Sequence, residues 1–130
     1  MVQPATLFPD ALSLAVAHLG ASMPDVHVGT RVPNPRLTDM VLLRRIGGLA
    51  RNGLIDDARI DGQVWAASDE DATEFANRAR YFLATLGETE PRVRQFAEEV
   101  GPTLIPDGDS SAPRVLFTVV LSVRGSVPAS

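Results

Sequence analysis

The sequence predicts an α+β domain with a mainly antiparallel β-sheet and two helices packed on one face. The main observation is segment 58–86, where a strand with period-two alternation runs directly into a capped amphipathic helix. A second is the run RVLFTVVLSVRG at 114–125, which is rich in β-branched residues. The predicted strands also lie too close in sequence for repeated βαβ crossovers. The predicted order of elements is α-β-β-β-α-β-β.

A first helix is predicted over residues 5–20. Pro9 suits an early helical position, and Gly20 suits the helix end. Between them lies an apolar stripe at helical spacing, formed by Ala11, Leu12, Ala15, Val16 and Leu19. A short strand at 26–30 follows. The next segment, RVPNPRL at 31–37, is predicted as an extended loop because it contains two prolines.

Residues 39–46, DMVLLRRI, form a strand candidate in which neither face is cleanly polar. We expect such a strand to be covered on both faces, either by its own domain or by a neighbouring subunit. Gly47, Gly48 and residues 51–53 are predicted to form a connecting turn, since Asn-Gly is a hairpin signal. The next strand, at about 55–66, is therefore predicted to pair antiparallel with 39–46.

The strand at 55–66 leads into the second helix. One face of this strand carries Ala58, Ile60, Gly62, Val64 and Ala66. Ser68 is predicted as the N-cap, with Asp71 three residues later as in a capping box. The acidic residues 69–71 complement the positive end of the helix dipole. The apolar stripe consists of Ala72, Phe75, Ala76, Ala79, Phe82, Leu83 and Leu86, and Gly87 is predicted to end the helix.

Segment 91–100, PRVRQFAEEV, is compatible with two structures. A helix would place its apolar residues on one stripe, whereas a strand would divide them between two faces. Periodicity alone favours the helix. Residues 101–113 are predicted as a polar hairpin loop rich in Gly and Pro, residues 114–125 as a strand, and residues 126–130 as a short tail.

Length and composition indicate one folded domain over residues 1–130. Hydrophobic residues make up 45% of the chain, an ordinary share for a globular protein. The net charge of −4 disfavours tight binding to nucleic-acid phosphates. The chain has no cysteine, which excludes disulfides and thiolate chemistry. It also lacks a signal-peptide pattern and an apolar run near ~18 residues, so we expect a soluble cytosolic protein.

The titratable residues form no recognisable catalytic or metal-binding pattern. His18 and His27 lack the spacing of metal ligands. The sequence has no phosphate-binding glycine loop and no GxSxG motif. We therefore expect no catalytic residue, no metal and no cofactor, and we predict that the chain is not an enzyme. Trp65 lies on the otherwise polar face of its strand, where either a helix covers it or it anchors an interface.

Three segments carry a resemblance that covers nearly the whole chain. They are TRVPNPRLTDMVLLRRIGG at 30–48, ARIDGQVWAASDEDATEFANRARYFL at 58–83 and GPTLIPDGDSSAPRVLFTVVLSVRG at 101–125. Together they resemble the tail terminator proteins of long-tailed phages (siphoviruses), especially those that infect actinobacteria. Each motif is weak alone, and their combination in order and spacing is more specific. The resemblance favours a strand at 91–100, although the Glu-rich segment 88–99 departs from the family pattern.

The resemblance implies a structural virion protein that assembles as a hexameric ring. Such a ring caps the tail tube, ends its polymerisation and joins the tail to the head-completion or stopper protein. The implied partners are other copies of the chain, the tail tube protein and the stopper protein, while DNA passes through the lumen without specific binding. The resemblance also implies assembly in the host cytoplasm, a final place in the tail or neck, no cofactor and no membrane partner.

Ring contacts are expected at strand 39–46 and at projecting loops. Strand 39–46 suits a subunit boundary, and loops 31–37 and 106–114 are the kind of segment in which binding tends to reside. The expected inter-subunit or neck contacts are Arg31, Asn34, Arg36, Arg44, Arg45, Arg59, Trp65, Asp107, Asp109 and Arg114. The exclusive use of Arg for all twelve basic residues fits a GC-rich genome and also suits bidentate interface contacts.

Two alternatives remain open at this point. The first is another neck protein, such as a head-tail connector or a tail-completion factor, which a clear third helix at 91–99 would favour. The second is a small hydrolase or ligand-binding domain. A deep pocket that holds His18 or His27 beside a carboxylate would favour this second alternative.

Overall fold

The computed structural model describes residues 5–128, which form two helices and one five-stranded mixed sheet. The elements are α1 Ala11–Ser22, β1 His27–Gly29, β2 Met40–Arg51, β3 Ile55–Trp65, α2 Asp69–Thr89, β4 Val93–Leu104 and β5 Arg114–Arg124. The strands are ordered β1-β2-β3-β5-β4. Strand β1 is parallel to β2, and every other pair is antiparallel. The predicted α+β class and the predicted order of elements are therefore confirmed.

Both helices cover the same face of the sheet, and the main core lies between them and that face. The core contains buried residues of α1 and α2, together with every second residue of β5 from Val115 to Val123. Phe117 is paired in register with Gly62 of β3. A Cβ at Gly62 would lie 2.2 Å from the Phe117 ring, so the absence of a side chain there makes room for the ring.

Helix α2 starts as predicted. The Ser68 hydroxyl accepts the backbone N–H of Asp71 at 3.1 Å and thereby satisfies one free donor of the first turn. The residues that α2 buries completely or almost so are Ala72, Ala76, Ala79, Leu83 and Leu86. The prediction that Gly87 ends the helix is wrong, because α2 continues to Thr89. Gly87 instead lies where the Val93 carbonyl oxygen approaches the helix closely.

Helix α1 starts later than predicted, at Ala11 instead of residue 5. Asp10 is the N-cap, and its carboxylate accepts the backbone N–H of Ser13 at 3.1 Å. Pro9 therefore precedes the cap and is not in the first helical turn. The prediction that Gly20 ends the helix is also wrong. The Met23 N–H still bonds to the Leu19 carbonyl, so the helix extends to Ser22.

Strand β2 is longer than predicted, and the turn after it is shorter. Residues 47–48 belong to the strand, because Gly47 and Gly48 pair with Arg59 and Ala58 of β3. The register shifts between Arg45 and Gly47, which marks a bulge. Gly47 and Gly48 have φ angles of 131° and 99°, which glycine adopts without steric cost. The Asn-Gly part of the turn prediction is confirmed, since Asn52 and Gly53 also have positive φ. The antiparallel pairing of β2 with β3 is confirmed as well.

Residues 93–104 form strand β4, so the strand that the resemblance favoured in this segment is confirmed and the helix that periodicity alone favoured is wrong. Pairing with β5 overrides the local helical spacing here. The hairpin loop between these strands is shorter than predicted and spans 105–113. In the predicted tail, the Ser126 backbone pairs with that of Leu7 through two hydrogen bonds of 2.8 and 2.9 Å. Tail residues 129–130 lie outside the described range.

Candidate functional site

Two loops cover one end of the helix-free face of the sheet, and Trp65 lies beneath them. Trp65 is 4% exposed and packs with Met40, Leu42 and Ala112. Neither of the two sequence-based interpretations of Trp65 describes this arrangement fully. No helix covers the residue, and little of its surface is left for direct contact with another chain. The sequence did indicate that Trp65 lies on the face of β3 opposite the core residues.

Asp107 holds the two loops together. One of its carboxylate oxygens accepts the indole N–H of Trp65 at 2.9 Å and lies 3.2 Å from a guanidinium nitrogen of Arg36. The other oxygen accepts the backbone N–H of Asp109 at 3.0 Å. The Arg36 guanidinium also lies over the Trp65 ring, 5.5 Å from its centroid. The loop after β1 is therefore fixed to the loop between β4 and β5.

These contacts favour the ionised form of Asp107. The hydrogen bond from Trp65 is the largest cause, followed by the backbone N–H of Asp109, and together they lower the pKa of Asp107 to about 2. The carboxylate is therefore charged at any pH in the neutral range. Because its two oxygens are already used, Asp107 serves to organise the loops and does not act as a free acid or base.

Seven of the ten predicted contact residues line one cleft of about 320 Å³ beside this cluster. They are Arg31, Arg36, Arg44, Trp65, Asp107, Asp109 and Arg114. Thr30 is the one hydroxyl in the lining, and no histidine contributes to it. Its guanidinium and carboxylate groups suit recognition of polar or charged groups on a partner. Asn34 is exposed in the loop but does not line the cleft.

Arg44 and Arg45 point to opposite faces of the sheet. Arg44 lies opposite Asp61 on the helix-free face, with 3.3 Å between guanidinium and carboxylate. Arg45 lies opposite Ile60 of the core face and binds Asp56 through two hydrogen bonds of 2.7 and 2.8 Å. Both arginines are therefore at the edge of the sheet, but they belong to different surfaces.

Further ion pairs continue across the helix-free face. Arg59 binds Glu99 of β4 through two hydrogen bonds of 2.9 and 2.7 Å. Arg51 binds Asp57 at 2.7 Å, and Asp57 also accepts the Ser122 hydroxyl at 2.6 Å. The Ser122 hydrogen bond is the first cause of a lowered pKa at Asp57, with Arg51 contributing in the same direction. Much of this face is therefore charged and paired within the chain.

The outer half of β2, residues 44–51, differs from the inner half. The inner half is buried on both faces, by the core on one side and by the Trp65 cluster on the other. The outer half is largely exposed, and Leu49 is 81% exposed. The sequence-based list of contact residues does not contain the exposed apolar residues Ile46 and Leu49, and Leu49 lies beyond the predicted strand end at residue 46.

Two further features of the described chain are the histidine His18 and a groove along α2. His18 Nε2 lies 2.9 Å from the Phe82 carbonyl oxygen, which can only accept, so this nitrogen carries a proton and ties α1 to α2. An open groove of about 750 Å³ follows the outer face of α2 between Asp69 and Phe82. It is lined by that single helix, and no histidine contributes to it.

Comparison with known proteins does not assign a family. No protein-family model matches the chain, and no curated protein matches it. Within residues 5–128, no helix is long and apolar enough to cross a membrane. In the same range, no group of three or more His, Asp or Glu side chains is arranged to hold a metal ion.

Proposed function

We propose that this chain is a tail terminator of a long-tailed phage. In this role it forms a ring, expected to be hexameric, that caps the tail tube and stops its growth. The ring then binds the head-completion or stopper protein, so the chain resides in the tail or neck of the virion. The three segments that resemble this family support the proposal, and so does the α+β fold with two helices on one face.

The observation that carries the proposal is the uncovered outer half of β2. This edge segment leaves two apolar side chains, Ile46 and Leu49, exposed at 37% and 81%, and an assembly can bury them at every interface. The same segment contains Arg44, Arg45 and Arg51, each already held in place by a carboxylate. Fixed arginines around an apolar side chain are typical of interface surfaces.

The loop pair at the other end of the sheet is a second contact surface in this proposal. Asp107 and Trp65 fix loops 30–39 and 105–113 against each other, which reduces the entropy lost when a partner binds them. We assign the cleft that they form to contact with the tube or the stopper protein. The chain requires no cofactor for this role. Its net charge of −4 is consistent in sign with a lumen through which DNA slides without adhering.

The alternative, a more helical neck protein such as a head-tail connector or tail-completion factor, is less well supported. A third helix at 91–99 would favour it, but that segment lies in β4. The hydrolase alternative also has less support, because neither His18 nor His27 lines the cleft beside Asp107 or the groove along α2.

Size-exclusion chromatography with light scattering tests ring formation. We expect a closed oligomer, and we expect Leu49→Gln to weaken each contact about tenfold or more, because an apolar contact is lost and an amide is desolvated. Gln is chosen over a charged residue because Leu49 lies opposite Asp57, and a charge there would also interact with that carboxylate within the chain. Ala17→Gln, on the exposed side of α1, is the matched control and should leave the oligomer intact. A protein that remains monomeric both alone and with tail tubes contradicts the proposal.

A further inference from the structure

We infer that neighbouring subunits of this ring meet edge to edge, with the outer half of β2 in one copy against the outer half of β4 in the next. The outer half of β2 is residues 44–51, and the outer half of β4 is residues 97–104. This inference rests on the proposed function and specifies its subunit contact. The occupant of each edge is thus a second copy of this chain.

The two segments occupy diagonally opposite corners of the sheet. Strands β2 and β4 lie toward its two edges, with β3 and β5 between them. Residues 44–51 pair with the first half of β3, whereas residues 97–104 pair with the first half of β5. Because β3 and β5 are antiparallel, these two halves lie toward opposite ends of the sheet. Most residues of both outer halves are exposed, and within β4 Glu98 pairs with Arg80 of α2 while Glu99 pairs with Arg59 of β3.

The charges of the two segments are complementary. Residues 44–51, RRIGGLAR, contain three arginines and no acidic residue. Residues 97–104, AEEVGPTL, contain two glutamates and no basic residue. Their ion pairs within the chain are partly exposed, with Arg44 at 66% and Glu99 at 39% side-chain exposure. A guanidinium has five donors, so these arginines can bind a second carboxylate without breaking the first pair.

Apolar side chains accompany the charges on both segments. Ile46 and Leu49 are exposed on β2, while Val100 and Leu104 are exposed on β4. Burial of these residues between copies gives an apolar centre, and the arginines and glutamates form a polar rim around it. In such an arrangement the apolar centre supplies most of the affinity, and the charged rim fixes the relative orientation of the two copies.

The same charges select the symmetry of the contact. A two-fold contact of β2 with β2 would place arginines against arginines, and one of β4 with β4 would place glutamates against glutamates. A head-to-tail contact of β2 with β4 avoids both repulsions. Head-to-tail contacts produce a ring when the rotation between copies closes.

In this contact, side chains contribute more than a continuous row of backbone hydrogen bonds between the two strands. Strand β4 has register shifts between Glu98 and Val100 and again between Val100 and Thr103. Pro102 also lacks an N–H to donate. These irregularities protect an edge from uncontrolled pairing, so they favour a specific partner over open-ended aggregation.

Cysteine cross-linking tests the inference directly, because the natural chain contains no cysteine. Three variants are treated with a short bismaleimide, both in solution and on tail tubes. They are Leu49→Cys, Val100→Cys and the double variant. Ala17→Cys combined with Val100→Cys is the control, since Ala17 is exposed on α1. Denaturing electrophoresis then reads the number of joined chains.

We expect a ladder of covalent oligomers from the double variant only, ending at the ring size. Dimers from either single variant would overturn the head-to-tail contact in favour of a two-fold one. A ring without 49–100 cross-links would overturn this interface while leaving the proposed function intact. A complete ladder from a protein that does not stop tube growth would support the interface and contradict the proposed function.

Discussion

At the scale of single residues, one carboxylate determines the shape of the loop surface. Asp107 accepts hydrogen bonds from Trp65 and from the Asp109 backbone, and it also pairs with Arg36. The sequence indicated Asp107, Trp65 and Arg36 as contact residues, but it could not indicate that they contact each other. Trp65 and Asp107 are 42 positions apart, and the pairing of β3 with β5, which places Trp65 opposite Arg114, brings the β4–β5 loop to the indole.

Replacing Asp107 with Asn should release the loops from each other. The neutral amide loses the ion pair with Arg36 and offers one acceptor oxygen where the carboxylate offers two, so Trp65 becomes more accessible to water. Trp65 is the one tryptophan in the chain, and its fluorescence emission should shift to longer wavelength. Asp109→Asn is the control, because the structure uses the backbone N–H of Asp109 to bind Asp107. Unchanged emission in Asp107→Asn would contradict this account of the loops.

The stabilisation from the contacts of Asp107 with Trp65, Arg36 and the Asp109 backbone should depend on pH only under acidic conditions. The folded-state pKa of Asp107 is lowered to about 2, below the ~3.9 of an unperturbed Asp. A lowered pKa means that the stabilisation is fully present above the unfolded value and is lost as the pH falls from about 4 toward 2. Denaturant midpoints measured across this interval should fall more steeply for the natural chain than for Asp107→Asn. An equal fall of the midpoint with pH in both proteins would contradict the stabilising role of the Asp107 carboxylate.

At the scale of elements, the sequence predicts what local chemistry decides and misses what distant contacts decide. The start of α2 follows from Ser68 and the faces of β3 follow from alternation, and both predictions are confirmed. Segment 91–100 has helical spacing, yet it forms β4 because β5 offers it a partner. Likewise, Gly47 and Gly48 suggest a turn in the sequence but pair with β3 directly after a bulge at Ile46, which only the register with β3 reveals.

Gly62→Ala tests the contact between β3 and β5. The added methyl group would overlap the Phe117 ring, and we expect a loss of about 1–3 kcal/mol in the free energy of unfolding, as is typical of overpacked cores. Gly20→Ala is the matched control, because nothing lies within 4 Å of a Cβ there and the residue is helical. It should raise stability by about 0.5–1 kcal/mol. Chemical denaturation measures both, and equal effects would contradict the close approach.

At the scale of the whole molecule, helices cover one face of the sheet, and the outer halves of β2 and β4 form two largely exposed corners. A basic corner on β2 and an acidic corner on β4 give the domain a direction, which a head-to-tail ring uses and a solitary domain does not. The sequence placed Arg44 and Arg45 at a boundary. Strand alternation also placed them on opposite faces, as the structure confirms. The sequence could not show that residues 97–104 lie at the other edge of the sheet, because the strand assignment of that segment was itself open.

Electron microscopy of tail tubes mixed with the protein tests the central claim most directly. If the chain is a tail terminator, negative-stain images should show a six-fold ring at one end of each tube, and tubes should stop growing when the protein is present. Leu49→Gln should reduce the fraction of capped ends, whereas Ala17→Gln should not. Tubes that continue to grow with bare ends, at protein concentrations that saturate binding, would contradict the account.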